Sequence, residues 1–220
     1  MDCATVTGVR SSFRFRMARG VLRLGVAAVL PTDVVGLEGL PHGPYVLSCN
    51  HLNWVDPFLL IAALPARPSL HFLGRRSAVH NRFWKRWFLF LMGDVVIPVE
   101  SGEIARVSEA VGGVLQGGQA VGIFPEGRIG SVEGELQPLR PGVAHFAGAA
   151  GVPIVPAALS GTRELWRRKR IRLVLGPALQ ATGDVAEDMA ALETRMRAVL
   201  PVYEEARGPR PWPWLTTLLK

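Results

Sequence analysis

The chain has 220 residues, 49% hydrophobic and 20% charged, a length that suits one domain and a composition that excludes intrinsic disorder. A net charge of +7 at pH 7 and a pI near 10.4 favour anionic partners: a lipid surface, phosphates or an acidic carrier protein. Only Cys3 and Cys49 occur, which excludes a disulfide framework and a cysteine-based zinc site, and fits a reducing, cytoplasmic setting.

No window reaches the roughly 18 uninterrupted apolar residues that crossing a bilayer requires. The first segment, residues 1–31, sets Arg10, Arg14, Arg16, Arg19 and Arg23 around the apolar stretch Val21 to Leu30. Ten helical residues cover only about 15 Å, half a bilayer core. Arg23 inside the apolar region and the lack of a cleavage site argue against a signal peptide. Arg16, Arg19 and Arg23 share one helical face, the pattern of a helix lying in a membrane surface; an amphipathic helix packed on the protein's own core fits equally well.

Beyond Pro31 strands and helices alternate. Strands are predicted at Tyr45 to Cys49, Leu70 to Gly74, Val95 to Val99, Ala120 to Phe124, Ile154 to Leu159 and Ile171 to Leu175. Pro98 places the third of these near an edge or bulge. Helices are predicted at Asp56 to Leu64, Arg82 to Met92, Glu103 to Leu115, Pro141 to Ala150 and Asp184 to Glu205, the last with Asp184 as N-cap. The pattern predicts a single α/β domain with a mixed or largely parallel sheet flanked by helices. The tail, with Trp212 and Trp214, carries indole rings suited to a lipid interface.

Two segments carry chemistry. Asn50-His51-Leu52-Asn53-Trp54-Val55-Asp56 follows a predicted strand. On a continuous helix His51 and Asp56 would stand about 140° apart, so they meet only if a loop intervenes and Asp56 enters the helix. A histidine held by a carboxylate through one ring nitrogen offers the other as a general base. An ordinary loop histidine beside an N-cap Asp has the same spacing. Ile123-Phe124-Pro125-Glu126-Gly127-Arg128 sits at another strand's C-terminal end, where α/β sheets place ligands, and Arg128 suits a phosphate. Alone, it also reads as a turn with solvated charges.

Taken together, the segments make the chain resemble the glycerolipid acyltransferase family, typified by lysophosphatidate (1-acyl-sn-glycerol-3-phosphate) acyltransferases. Asn50-His51 to Asp56 matches its NHxxxxD block and Phe124 to Gly127 its FPEG block. Gly134 to Gly142 looks like the family's continuation and Val152 to Thr162 its fourth block. The resemblance implies that residues 32–220 form an acyltransferase domain using acyl-CoA or acyl carrier protein as co-substrate, with no cofactor and no metal. It implies His51 as base and Asp56 as its partner. Asn50, Phe124, Pro125, Glu126, Gly127 and Arg128 fall to substrate binding, with Arg75, Arg76 and Arg140 as further sources of positive charge. The implied setting is the cytoplasmic face of a membrane, peripheral or monotopic, in phospholipid biosynthesis.

Three positions depart from the family pattern. Asn53 replaces the usual Ser, Ser101 follows Ile97-Pro98-Val99-Glu100 where an acceptor-binding Arg is usual, and Arg128-Ile129-Gly130-Ser131 replaces the residues that usually follow FPEG. They leave the His51 base intact and open the question of a phosphate-free acceptor. Rival readings are a Ser-His-Asp lipid hydrolase using Ser48, Cys49 as nucleophile, and a non-enzymatic membrane-binding protein. The basic run Arg167-Arg168-Lys169-Arg170 comes with no recognisable nucleic-acid module, so no nucleic-acid partner is expected.

Overall fold

The computed structural model describes residues 13–75, 95–99, 104–130, 132–167 and 170–202. The predicted helix Arg82 to Met92, Arg76, Ser101 and the Trp-bearing tail lie outside them.

Among the described residues seven strands form one sheet: β1 (Thr32–Val35), β2 (Val46–Cys49), β3 (Leu70–Arg75), β4 (Val96–Val99), β5 (Ala120–Ile123), β6 (Ile154–Ser160) and β7 (Ile171–Leu175). Their order is β1-β7-β6-β2-β5-β3-β4. β2 to β6 are mutually parallel; β7 pairs antiparallel with β6, and β1 pairs parallel with β7, so these two run the other way. The sheet is mixed, as expected. The Pro98 strand is an edge strand, where a missing N–H costs the ladder least. β1 was not anticipated: Thr-Asp-Val-Val is four residues long and lacks alternation.

Among the described residues five α-helices cover the faces: α1 (Phe13–Val29), α2 (Asp56–Ala63), α3 (Ile104–Gln116), α4 (Gly142–Ala150) and α5 (Val185–Val199). Strand β2 shows why two layers are needed. Tyr45, Leu47 and Cys49 enter the core shared with α1 and α2, whereas Val46 packs with residues of α3, α4 and α5. Both faces of the strand are apolar, as in a parallel sheet covered on each side. Asp184 caps α5 by accepting from the N–H groups of Ala186 and Glu187 at 2.8 and 3.1 Å. The helix stops at Val199, short of the predicted Glu205, because Leu200 precedes Pro201 and is held extended.

Helix α1 packs one face on the protein's own core. Phe15, Ala18, Leu22 and Val26, at helical spacing, pack on the core, and Arg19 donates to the carbonyls of Ile61 and Leu64 at the end of α2. Those carbonyls have no partner within their own helix, so the guanidinium completes the helix terminus. The opposite stripe is bare: Met17, Val21 and Leu24 are 55%, 68% and 74% exposed, and Ala28 continues the row. Leu30 and Pro31 lead into Thr32, which pairs with Ile171 beside the C-terminal end of β6. Helix α1 therefore runs toward the end of the sheet where β2 and β5 terminate.

Candidate active site

The C-terminal ends of β2 and β5 lie side by side, with Ser48 in register with Ile123. The chain leaves β2 toward β3 on one side and returns from β5 to β6 on the other, the kind of divide at which open α/β sheets place ligands. The residues after each strand meet there. His51 stacks on Phe124 with ring centroids 4.1 Å apart and planes inclined by 16°. Phe124 in turn stacks on Phe72 at 5.6 Å, so the imidazole rests on a fixed aromatic floor.

The loop 51–55 wraps around the Asp56 carboxylate. One oxygen, Oδ2, accepts from His51 Nδ1 at 2.9 Å, Leu52 N–H at 2.7 Å and Asn53 N–H at 2.8 Å. Asp56 is fully buried at the first position of α2, followed by Pro57, whose missing N–H costs nothing in a first turn. The loop expected from the five-residue spacing is therefore present. An ionised carboxylate can only accept, so Nδ1 carries the proton and Nε2 keeps its lone pair. With 18% of its side chain exposed, His51 can present that lone pair to a ligand.

Asn50 departs from the substrate-binding role expected of it. It is fully buried, its amide donates to Leu159 C=O at 3.0 Å, and its oxygen accepts from Leu159 N–H at 2.7 Å. Both ends of the amide are used on β6, prolonging the β2–β6 pairing by one step beyond Cys49 and aiming the next residue, His51. It holds the loop. Asn53 does similar work, donating to Thr162 C=O at 2.9 Å.

The other predicted block forms a tight turn. Gly127 N–H returns to Phe124 C=O at 3.0 Å, and Arg140 N–H reaches Pro125 C=O at 2.8 Å. Gly127 has φ +66°, a conformation in which a side chain is strained, and a Cβ there would lie 2.7 Å from Arg140 Nε and push that flexible side chain aside. Glu126 is buried beneath the turn, where His51 and Gln137 N–H groups bond to it. Burial pushes its carboxyl up to about 7, against the opposing pull of His51, these bonds and Arg128. Its Oε1 has no partner among the described residues.

Of the candidate cations, Arg128 is exposed and donates to Gln137 at 3.0 Å, and Arg140 lies across Gly127. Arg75 closes β3 in register with Val99, at the same end of the sheet. No sequence signal pointed to Arg163, which donates to Gly130 C=O at 2.9 Å, or to Glu133, which accepts from Gly161 N–H at 2.7 Å. Neither falls in a motif, and only their nearness to the fourth block could have drawn attention to them.

The nucleophile rivals fare poorly. Ser48 is fully buried and directs its hydroxyl at Met196 Sδ, 3.2 Å away on the α5 side of the sheet. Cys49 is buried, and desolvation followed by the charges of Asp56 and Glu126 raises its thiol well above the ordinary range, against thiolate formation.

A mainly parallel sheet thus carries a His–carboxylate pair at the C-terminal ends of its central strands, and among the described residues Ser48 and Cys49 beside it are buried. The family model described as Acyltransferase matches residues 31–160, and the chain belongs to that family. It is an O-acyltransferase. A Bacillus subtilis 1-acyl-sn-glycerol-3-phosphate acyltransferase is 29% identical over 66% of this chain and 72% of its own length. The Pseudomonas aeruginosa protein of that name is 27% identical over 84% and 77%, and the Saccharomyces cerevisiae one 30% over 62% and 45%. The chain thus spans less than half of the yeast relative. The crystal structure of the 1-acyl-sn-glycerophosphate acyltransferase PlsC from Thermotoga maritima shares the fold, with a TM-score of 0.69 at 16% identity over 87% of this chain and 81% of that one.

Proposed function

We propose that this protein transfers a fatty acyl group from acyl-CoA or acyl carrier protein to the free hydroxyl of a lysophosphatidate-like acceptor in phospholipid biosynthesis. The observation that carries the reading is the 2.9 Å contact between His51 Nδ1 and the buried Asp56 carboxylate, which leaves Nε2 free. The acceptor hydroxyl gives its proton to Nε2 as its oxygen attacks the thioester carbonyl. The tetrahedral intermediate collapses with cleavage of the C–S bond, and the imidazolium returns the proton to the departing thiolate. Asp56 keeps the correct tautomer and supports the imidazolium. The names of the relatives supply the acceptor class.

Arg128 is the proposed phosphate contact, since Ser101 stands where the family's acceptor-binding Arg is usual. An acceptor panel tests this: labelled acyl donor offered to lysophosphatidate and to monoacylglycerol. Arg128→Ala is expected to raise the lysophosphatidate KM several-fold and to leave the donor KM nearly unchanged, because a guanidinium–phosphate pair is charge-assisted. A wild type that prefers monoacylglycerol would instead assign a phosphate-free acceptor.

The protein works, on this reading, at the cytoplasmic face of a membrane. No described helix is long and apolar enough to cross one, and the bare stripe Met17, Val21, Leu24 with exposed Arg16 and Arg23 beside it suits an interfacial helix. Vesicles containing anionic lipid should bind the protein, less so as salt shortens the screening length to about 8 Å at physiological strength. The double substitution Val21→Gln, Leu24→Gln touches no core residue and should weaken that binding at unchanged melting temperature. Cosedimentation equal to wild type would leave α1 without a membrane role.

A further inference from the structure

Three loops meet around the catalytic histidine, and each is tied to the next. Gly130, after the FPEG turn, donates its N–H to His51 C=O at 2.6 Å. Arg163, after β6, donates to Gly130 C=O at 2.9 Å. Asn53, two residues from His51, donates to the carbonyl of Thr162, the neighbour of Arg163, at 2.9 Å. The three links close a triangle. A second seam bond, from Gly161 N–H to the buried Glu133 carboxylate at 2.7 Å, fastens the β5 loop to the β6 end with the donor again on the β6 side.

We propose that Arg163 is a positioning residue for acyl transfer, acting through Gly130 on the backbone of His51. The inference rests on reading His51 as the base. Asp56 fixes the imidazole at Nδ1, but a ring held at one atom still turns with its own backbone. The Gly130 bond supplies the second anchor, at the His51 carbonyl. The approach is close: a Cβ on Gly130 would stand 3.3 Å from His51 O, which would have to give by a few tenths of an ångström, and in ordinary contact, 3.5 Å, with Glu126 Oε2. What keeps Gly130 in place is the charged donor behind it. A hydrogen bond from a guanidinium is roughly twice as strong as a neutral one, and this one is partly buried. Misplacing a base by about 1 Å can cost on the order of 10² in rate while leaving binding intact.

The test is Arg163→Met, which keeps the aliphatic bulk and removes the donors, with Arg163→Lys beside it. Expected for Arg163→Met is a kcat at least about tenfold lower, with donor and acceptor KM within about twofold of wild type. Amide exchange at Gly130 should accelerate while the β2 and β6 amides stay protected, and Lys should restore part of kcat. If Arg163→Met does not fold, Asn53→Ala opens another side of the triangle and should give the same split. The proposal is overturned if kcat holds, if kcat falls only with the folded fraction, or if acceptor KM rises instead, which would make Arg163 a substrate contact. His51→Ala in the same assay separates the two ideas. Inactive His51→Ala beside fully active Arg163→Met removes the brace and keeps the base; active His51→Ala removes both.

Discussion

His51→Ala should lower turnover by at least about 10²-fold, equivalent to roughly 2.7 kcal/mol of barrier, while the protein stays folded. A lipid hydroxyl is so weak an acid that at neutral pH essentially none is ionised, and attack on a thioester needs its proton removed in the transition state. Nε2 of His51 is the lone pair set up for this. The side chain is partly exposed and loses one bond to Asp56, whose Oδ2 still accepts from Leu52 and Asn53. Loss of a single hydrogen bond of this kind costs about 1–3 kcal/mol of stability, a few degrees of melting temperature. Initial rates and a thermal melt on the same preparation separate the two effects. Near-normal transfer by a folded His51→Ala protein would remove the base from the mechanism.

Asp56→Asn should reduce kcat by about 10²-fold with the fold again retained. The carboxylate oxygen Oδ1 is buried without a hydrogen-bond partner among the described residues, so an Asn amide nitrogen can take its place. The remaining oxygen then meets the same three donors. What disappears is the negative charge beside the imidazole, and with it the support for the imidazolium formed as His51 takes the proton. Substrate contacts are untouched, so KM should move little. Asp56→Ala is a different experiment: it leaves the N–H groups of Leu52 and Asn53 without an acceptor at a buried site, about 1–3 kcal/mol each, and should destabilise the domain. An Asn variant as active as wild type would contradict the role given to the pair.

What the sequence revealed, and what it hid, follows the range of the interactions. Asp184 as N-cap and Pro98 on an edge strand were legible because caps and missing donors are local chemistry. The meeting of His51 with Asp56 was legible because only a loop lets that spacing close. By contrast, β1 and the reversal of β7 depend on register between strands distant in the chain, and four residues of β1 carry no period to read. Asn50 was assigned to the substrate because its motif resembles the family's; its actual partner, Leu159, is 109 residues away. Arg163 and Glu133 look like ordinary surface charges until folding brings their loops beside His51.

Helix α1 shows the same limit from another side. Its Arg spacing fitted either a membrane or a core: Arg19 reaches the end of α2, while Arg16 and Arg23 remain exposed. A deletion of residues 1–31 would therefore strip Phe15 and Leu22 from the core as well as the bare stripe. Substitutions at Val21 and Leu24 avoid that confusion.

Direct transfer assisted by His51 can be followed through the products of the first turnover. Excess protein is mixed with labelled acyl thioester and lysophosphatidate, quenched in acid at successive times, and the label is traced. Label should pass from thioester to diacylated lipid in one phase, with none on the protein and little as free fatty acid. Label held covalently on the chain before the lipid product forms, or released chiefly as free acid, would contradict it.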